Sequence, residues 1–275
     1  MALVEAGKLL RDAQRQGYAV GAFNVMNLEM AQAVIAAAEK MESPVLVQTT
    51  AGILDYAPPE AFFAIVSVLA AQVRVPIALH LDHGNGFAWA QRAAQAGYTS
   101  LMIDGSTLPY EQNVALTRRV VEMAGAIPVE AELGMVSGQE DRQMVTNGRY
   151  TDPAQAADFV ARTGVASLAV AIGTAHGVYQ GTPKLDLERL SAIRAAVSVP
   201  LVLHGTSGVP FDQVRACIQR GICKLNYATE LRMAFSGGVR DVLREQPQAF
   251  DPRVYLEVAR ARVMALVCER ITLCG

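Results

Sequence analysis

Long apolar runs, charge of one sign and patterned cysteines are all missing from this chain, and each absence removes a class of protein. No stretch approaches the roughly 18 uninterrupted apolar residues of a membrane span, since the best candidate, 61–73, contains Ser67 and Gln72. The formal net charge is only −2 and no Lys/Arg run exceeds two residues, so the electrostatic footprint of a nucleic-acid binder is lacking. The four cysteines, Cys217, Cys223, Cys268 and Cys274, fall in the C-terminal quarter at spacings that make neither a zinc knuckle nor C-x-x-C, and they read as reduced thiols. The first residues lack the basic start, apolar run and small-residue cleavage site of a secretory signal, and a cytoplasmic location is expected. There is no internal repeat and no low-complexity tract.

What is present is apolar material in quantity. Of 275 residues, 52% are hydrophobic and 18% charged, enough to bury a large core. Short β-branched runs at 19–24, 44–49, 76–82, 99–104, 128–133, 167–172, 200–204 and 223–226 alternate with Ala-rich stretches of helical periodicity at 28–41, 59–73, 87–96, 108–124, 153–163, 187–196 and 210–220. That alternation is the mark of βα units on a parallel sheet. Pro44, Pro76, Pro128 and Pro200 open strands, where a missing N–H falls outside the ladder. Asp152-Pro153 starts a helix, and Gly97, Gly164 and Gly221 follow three of them. Eight strands favour a closed α/β (β/α)₈ TIM barrel spanning residues 1–275 as one domain with a C-terminal helical extension. The first βα turn has no G-x-G-x-x-G, which weakens a dinucleotide-binding alternative. One connection, 134–151, is long, polar and glycine-containing, and reads as a functional loop or lid.

In such a barrel the reacting groups lie at the C-terminal ends of the strands. The chain has only four histidines, and all fall there: His80 and His83 end the third strand, His176 follows the sixth and His204 ends the seventh. Three imidazoles plus an open position form a catalytic zinc ligand set, and His83, His176 and His204 are the expected ligands. His80 sits earlier in its strand and is expected to pack or support. Asp82 is placed to exchange a proton with a substrate hydroxyl, or else to orient an imidazole. In V-E-A-E-L, Glu130 and Glu132 share an inward face; Glu132 is a candidate alternate metal ligand, and Glu130 holds a buried hydrogen bond. Glycines and small polar residues in A-I-G-T-A-H-G, H-G-T-S-G and N-Y-A-T-E lie where this fold binds phosphate. A phosphorylated small molecule is the expected partner.

The motifs H-L-D-H-G (80–84), M-I-D-G-S (102–106), V-E-A-E-L-G (129–134), G-Q-E-D (138–141), G-T-A-H-G-V-Y (173–179), L-V-L-H-G (201–205) and K-L-N-Y-A-T-E (224–230) together resemble the class II fructose-bisphosphate aldolase family, on the side of its tagatose-bisphosphate branch. The resemblance implies a zinc lyase that splits a ketose 1,6-bisphosphate, of tagatose or fructose type, into dihydroxyacetone phosphate and glyceraldehyde 3-phosphate. It implies Asp82 as the proton carrier at the C4 hydroxyl and Glu140 as the acid acting at C3. Gly177, Gly205, Ser207 and the segment Asn226, Tyr227, Ala228, Thr229 match positions that hold the triose phosphate, with Na⁺ or K⁺ nearby. Asn24 and Thr206 are added to these candidate substrate contacts. Arg253 matches an arginine reaching the distal phosphate of a neighbouring subunit's substrate, which implies a homodimer or homotetramer. A separate stabilising subunit accompanies some relatives.

Departures from the tagatose branch concern the sugar: Thr206, Thr107 and the segment 48–56 differ from it. The same chemistry on sulfofructose 1-phosphate or a deoxy-ketogluconate phosphate stays open. A Schiff-base aldolase through Lys224 competes, because a desolvated lysine becomes nucleophilic. A metal-dependent hydrolase is disfavoured by Phe23-Asn24-Val25 where H-x-H is usual. A non-catalytic partner subunit predicts damaged motifs, and these are intact.

Overall fold

Eight parallel strands close on one another in the order β1-β11-β10-β8-β5-β4-β3-β2 in this computed structural model, with helices filling the crossovers between successive barrel strands. The structure describes residues 3–140, 143–146 and 148–275, with the side chains of residues 139, 140, 143 and 144 outside the description. The strands are β1 Val20–Asn24, β2 Val45–Thr50, β3 Ile77–Gly84, β4 Ser100–Ile103, β5 Val129–Leu133, β6 Ser137–Glu140, β7 Gln143–Val145, β8 Ser167–Val170, β9 Ala175–His176, β10 Leu201–Leu203 and β11 Ile222–Tyr227. The helices are α1 Ala6–Gln16, α2 Leu28–Lys40, α3 Ala51–Tyr56, α4 Pro59–Ala70, α5 Phe87–Ala96, α6 Tyr110–Ala124, α7 Pro153–Thr163, α8 Leu187–Ala196, α9 Phe211–Ile218, α10 Thr229–Glu245 and α11 Pro252–Cys274. The expected (β/α)₈ barrel is what the chain forms.

Local chemistry accounts for many of the boundaries. Asn27 accepts from Met30 N–H at the start of α2, and Asp152 accepts from Gln155 N–H ahead of Pro153. Gly97 and Gly164 end α5 and α7 with left-handed backbone, a conformation that costs glycine least. Side chains facing outward from the strands, such as Val45, Val47, Leu79 and Leu101, join helix residues Val34, Phe62, Ala93 and Phe159 in one continuous buried core. The barrel interior is layered. Ala6, Leu9, Leu10 and Ala13 of α1 pack with Val20, Ala22, Leu46 and Ala78 and plug its N-terminal end. Above that plug the interior turns polar, with His80, Ser100, Glu130 and Lys224 all buried, followed by Asn24, Asp82, Glu132, His204 and Asn226. Polarity therefore rises toward the C-terminal mouth.

The long connection after β5 differs from the expected loop. It contains a short antiparallel pair, β6 with β7, and β6 also pairs in parallel with β9. The reason is backbone proximity: Gly138 lies so close to His176 that an added Cβ would collide with its carbonyl oxygen. The helix α3 is also additional to the sequence reading. It is one and a half turns long, capped by the Thr50 hydroxyl accepting from Ile53 N–H, too short to show periodicity.

Candidate metal and substrate site

Two neighbouring residues of β3 reach the same site, which regular alternation would forbid. His83 takes a left-handed backbone (φ 44°), and the β3–β4 register shifts between Leu81 and Gly84. The bulge turns the His83 ring toward the mouth beside Asp82. There His83 meets His176 and His204, with ring centroids 4.9 Å and 4.5 Å from its own. One donor atom from each of the three lies within 4.8 Å of the others. His83, Asp104 and Glu132 make a second set by the same measure.

The supporting hydrogen bonds show that the first set fits a metal ion. His83 Nδ1 lies 2.8 Å from Asp104 Oδ2, and His204 Nε2 lies 2.9 Å from Glu130 Oε1. Each carboxylate takes the N–H of its ring, leaving His83 Nε2 and His204 Nδ1 as lone pairs, the latter 3.3 Å from Asn226 Nδ2. These two nitrogens face each other at 2.8 Å. Two lone pairs at that distance repel unless a cation or a proton lies between them. Burial opposes charging His83, but Asp82, together with the hydrogen bond and charge of Asp104 and the charge of Glu132, raises its pKa well above the usual imidazole range. Burial and the charge of His83 hold His176 and His204 well below that range.

Asp82 is clamped by two amides. Asn24 Nδ2 donates to Oδ2 at 2.8 Å and Asn226 Nδ2 to Oδ1 at 3.0 Å, while Asn24 Oδ1 accepts from Gln48 Nε2. Burial raises its pKa, but the charges of His83, His204 and Lys224 and the Asn24 bond bring it below the ordinary carboxylate value. An ionised carboxylate thus stands 2% exposed at the reaction mouth. Glu132 behaves oppositely: burial, with help from the charge of Asp104, pushes it up to about 8. Its Oε1 accepts from Val136 N–H, whereas Oε2 has no hydrogen-bond partner among the described residues.

Beneath the mouth lies a buried polar relay. Lys224 Nζ donates to Glu130 Oε2 at 2.8 Å and lies 3.0 Å from His80 Nε2, and His80 Nδ1 contacts Ser100 Oγ. His80 thus has the supporting place expected of it. Lys224 is wholly buried in this relay.

A small cavity beside the histidines is lined by Asn24, Asp82, Gly177, Gly205, Ser207, Asn226, Ala228 and Thr229. Thr229 opens the 17-residue α10, whose N-cap residue Ala228 supplies no side-chain cap; Glu230 N–H points to Ser207 Oγ at 3.5 Å, and the first-turn N–H groups favour an anion there. Gly205 (φ 63°) leaves no room for a Cβ, which would meet Ala175 O at 2.5 Å. Tyr179 Oη ties the two glycine loops by donating to Gly205 O and accepting from Ala175 N–H. Thr206 and Tyr227 do not line this cavity. The Thr206 hydroxyl donates to Leu203 O, and Tyr227 points outward to stack on Phe23. Arg253 is exposed, paired with Asp251 at 2.7 Å, and lines neither cavity at the histidines. Glu140 ends β6, and its side chain lies outside the described residues.

The sequence reading missed Asp104 as the His83 partner, although M-I-D-G-S contains it. It also missed the Lys224–Glu130 pair and Tyr179; nothing in linear spacing tells that β3, β5 and β11 converge.

Comparison with known proteins agrees with this geometry. The chain matches the family model "Fructose-bisphosphate aldolase class-II" over residues 4–275. Its fold is similar to that of the YdjI aldolase from Escherichia coli K12, with a TM-score of 0.89 and 38% identity, covering 99% of this chain and 97% of that one. It is also similar to a candidate fructose-1,6-bisphosphate aldolase from Coccidioides immitis, with a TM-score of 0.90 and 33% identity, covering 98% and 96%. A fructose-bisphosphate aldolase from Campylobacter jejuni, at 23% identity and a TM-score of 0.85 over 99% and 95%, shares the fold. Enzymes of this class are metal-dependent and act on phosphorylated sugars. With the family matched along nearly its whole length and an imidazole cluster at the barrel mouth, this chain belongs to the class II fructose-bisphosphate aldolases and is a lyase.

Proposed function

We propose that this enzyme is a zinc-dependent aldolase that reversibly cleaves a ketose bearing phosphate at C1 into dihydroxyacetone phosphate and an aldehyde, as a ketose 1,6-bisphosphate would yield glyceraldehyde 3-phosphate. The observation that supports it most is the pair of imidazole nitrogens facing each other with their lone pairs 2.8 Å apart, beside a buried ionised carboxylate. His83, His176 and His204 would hold the zinc, with Glu132 as alternate ligand; when bound it supplies Lewis-acid polarisation of the ketone oxygen. Asp82, fixed by Asn24 and Asn226, takes the proton of the C4 hydroxyl. The C3–C4 bond then breaks, C4 departs as the aldehyde carbon with its oxygen now a carbonyl, and the electron pair stays with C3. Glu140 returns a proton to C3. Gly177, Gly205, Ser207, Ala228 and Thr229 hold the C1 phosphate, with Na⁺ or K⁺ alongside. A homo-oligomer belongs to the same reading, supported by exposed apolar side chains at Met233, Phe250 and Val254 near the C-terminal helices.

The Schiff-base route is disfavoured because Lys224 Nζ is engaged by Glu130 and His80 in the buried relay. A coupled assay for dihydroxyacetone phosphate, run before and after borohydride treatment in the presence of substrate, tests the assignment. Product formation insensitive to borohydride is expected. Irreversible loss would transfer the chemistry to Lys224, and no product from any C1-phosphorylated ketose would overturn the reading.

A further inference from the structure

Two cavities meet at His83 and His176, and their linings differ in kind. The smaller is the glycine-walled one described above. The larger, of about 250 Å³, is lined on its polar side by Asp55, Asn85, Asp104, Ser106, Thr107 and Glu132. If the C1 phosphate occupies the smaller, the larger receives the far arm of the sugar, the part that leaves as the aldehyde.

Apart from His83 and His176, the imidazoles that would hold the zinc, every ionisable side chain among the described residues lining the larger cavity is a carboxylate. Asp104 is taken up by His83 and Ser106 N–H, but Asp55, on α3, is exposed at the rim. Glu132 adds a sign of a ligand: its Oε2 is buried without a hydrogen-bond partner among the described residues, and such atoms are seldom left so. The nearby Arg149 donates to Ser106 O and Arg253 pairs with Asp251, and neither lines the cavity of this chain. Carboxylates, hydroxyls and an amide suit sugar hydroxyls, which can donate to each of them. The ionised carboxylates among them, Asp55 at the rim above all, oppose a phosphate dianion.

We propose that the larger cavity selects an uncharged, polyhydroxylated aldehyde, so that the preferred substrate is a ketose with a single phosphate, at C1, and that Asp55 is a specificity-determining residue excluding a second one. This rests on the aldolase reading above. In the synthetic direction a proton leaves C3 of dihydroxyacetone phosphate, C3 bonds to the aldehyde carbon, and the aldehyde oxygen takes up a proton as the C4 hydroxyl, so atoms balance without a further reactant.

The test uses zinc-loaded full-length enzyme, dihydroxyacetone phosphate, and hydroxyaldehydes of two to five carbons, each beside its terminally phosphorylated counterpart. Exchange of the C3 proton with deuterated water, measured without aldehyde, reports the aldolase half alone. Exchange together with at least about tenfold higher kcat/KM for unphosphorylated aldehydes is the expected result. Asp55→Asn and Asp55→Lys should shrink that ratio by raising the phosphorylated arm. A preference for phosphorylated aldehydes, rejection of all neutral ones, or equal effects of the Asp55 variants on both sets would overturn the proposal while exchange persists. Absence of exchange would instead remove the aldolase reading on which it stands.

Discussion

At the scale of single residues, the site is organised by which ring nitrogen carries a proton. Asp104 and Glu130 claim the outward N–H groups of His83 and His204, and the inward nitrogens are left to compete for one cation. Because the His83 pKa is raised, metal uptake at neutral pH must displace its proton, and affinity should strengthen as pH rises toward that raised value. Calorimetric zinc titrations in two buffers of different ionisation enthalpy should show net proton release that shrinks as pH increases; uptake with no proton released would contradict the assignment. Asp82→Ala should lower turnover by roughly 10²–10⁴-fold while zinc content stays at the wild-type level, and unchanged turnover would remove Asp82 from the mechanism. The histidines and Asp82 were legible in the sequence because four of four imidazoles fell at strand ends. The Asp104 partnership was not, since it depends on β3 and β4 lying side by side with a shifted register.

Elements act here through close approach and through buried charge shared across strands. Gly138 on β6 presses on the backbone of His176, so Gly138→Ala must push a ligand-bearing segment away. We expect that variant to fold yet bind zinc at least about tenfold more weakly, a loss typical of disturbing what orients a ligand; unaltered zinc affinity in an equilibrium competition with a chelator would show that β6 does not position His176. Lys224→Met should cost about 3–5 kcal/mol of stability, because Glu130 is left buried without its cation. Thermal or denaturant unfolding of metal-free protein measures this, and a difference below about 1 kcal/mol would mean the pair is not a structural one. The eight strands and seven of the helices were legible from periodicity and from Pro, Asp and Gly punctuation. The pairing of β6 with β7 and β9 was not, because it rests on main-chain geometry at glycines, which carries no hydrophobic pattern.

For the whole molecule, closure of the barrel is what converts residues distant in sequence into one reaction centre. α1 seals the N-terminal end with alkyl side chains, the middle layer holds buried charge, and the C-terminal mouth holds an ionised carboxylate and imidazoles that could hold a metal ion, so chemistry is confined to one end. Turnover of a C1-phosphorylated ketose, followed while zinc is titrated into metal-stripped enzyme, tests the account most directly. It predicts negligible activity at the start and a rise that levels off at one ion per chain; full activity in the stripped enzyme would contradict it.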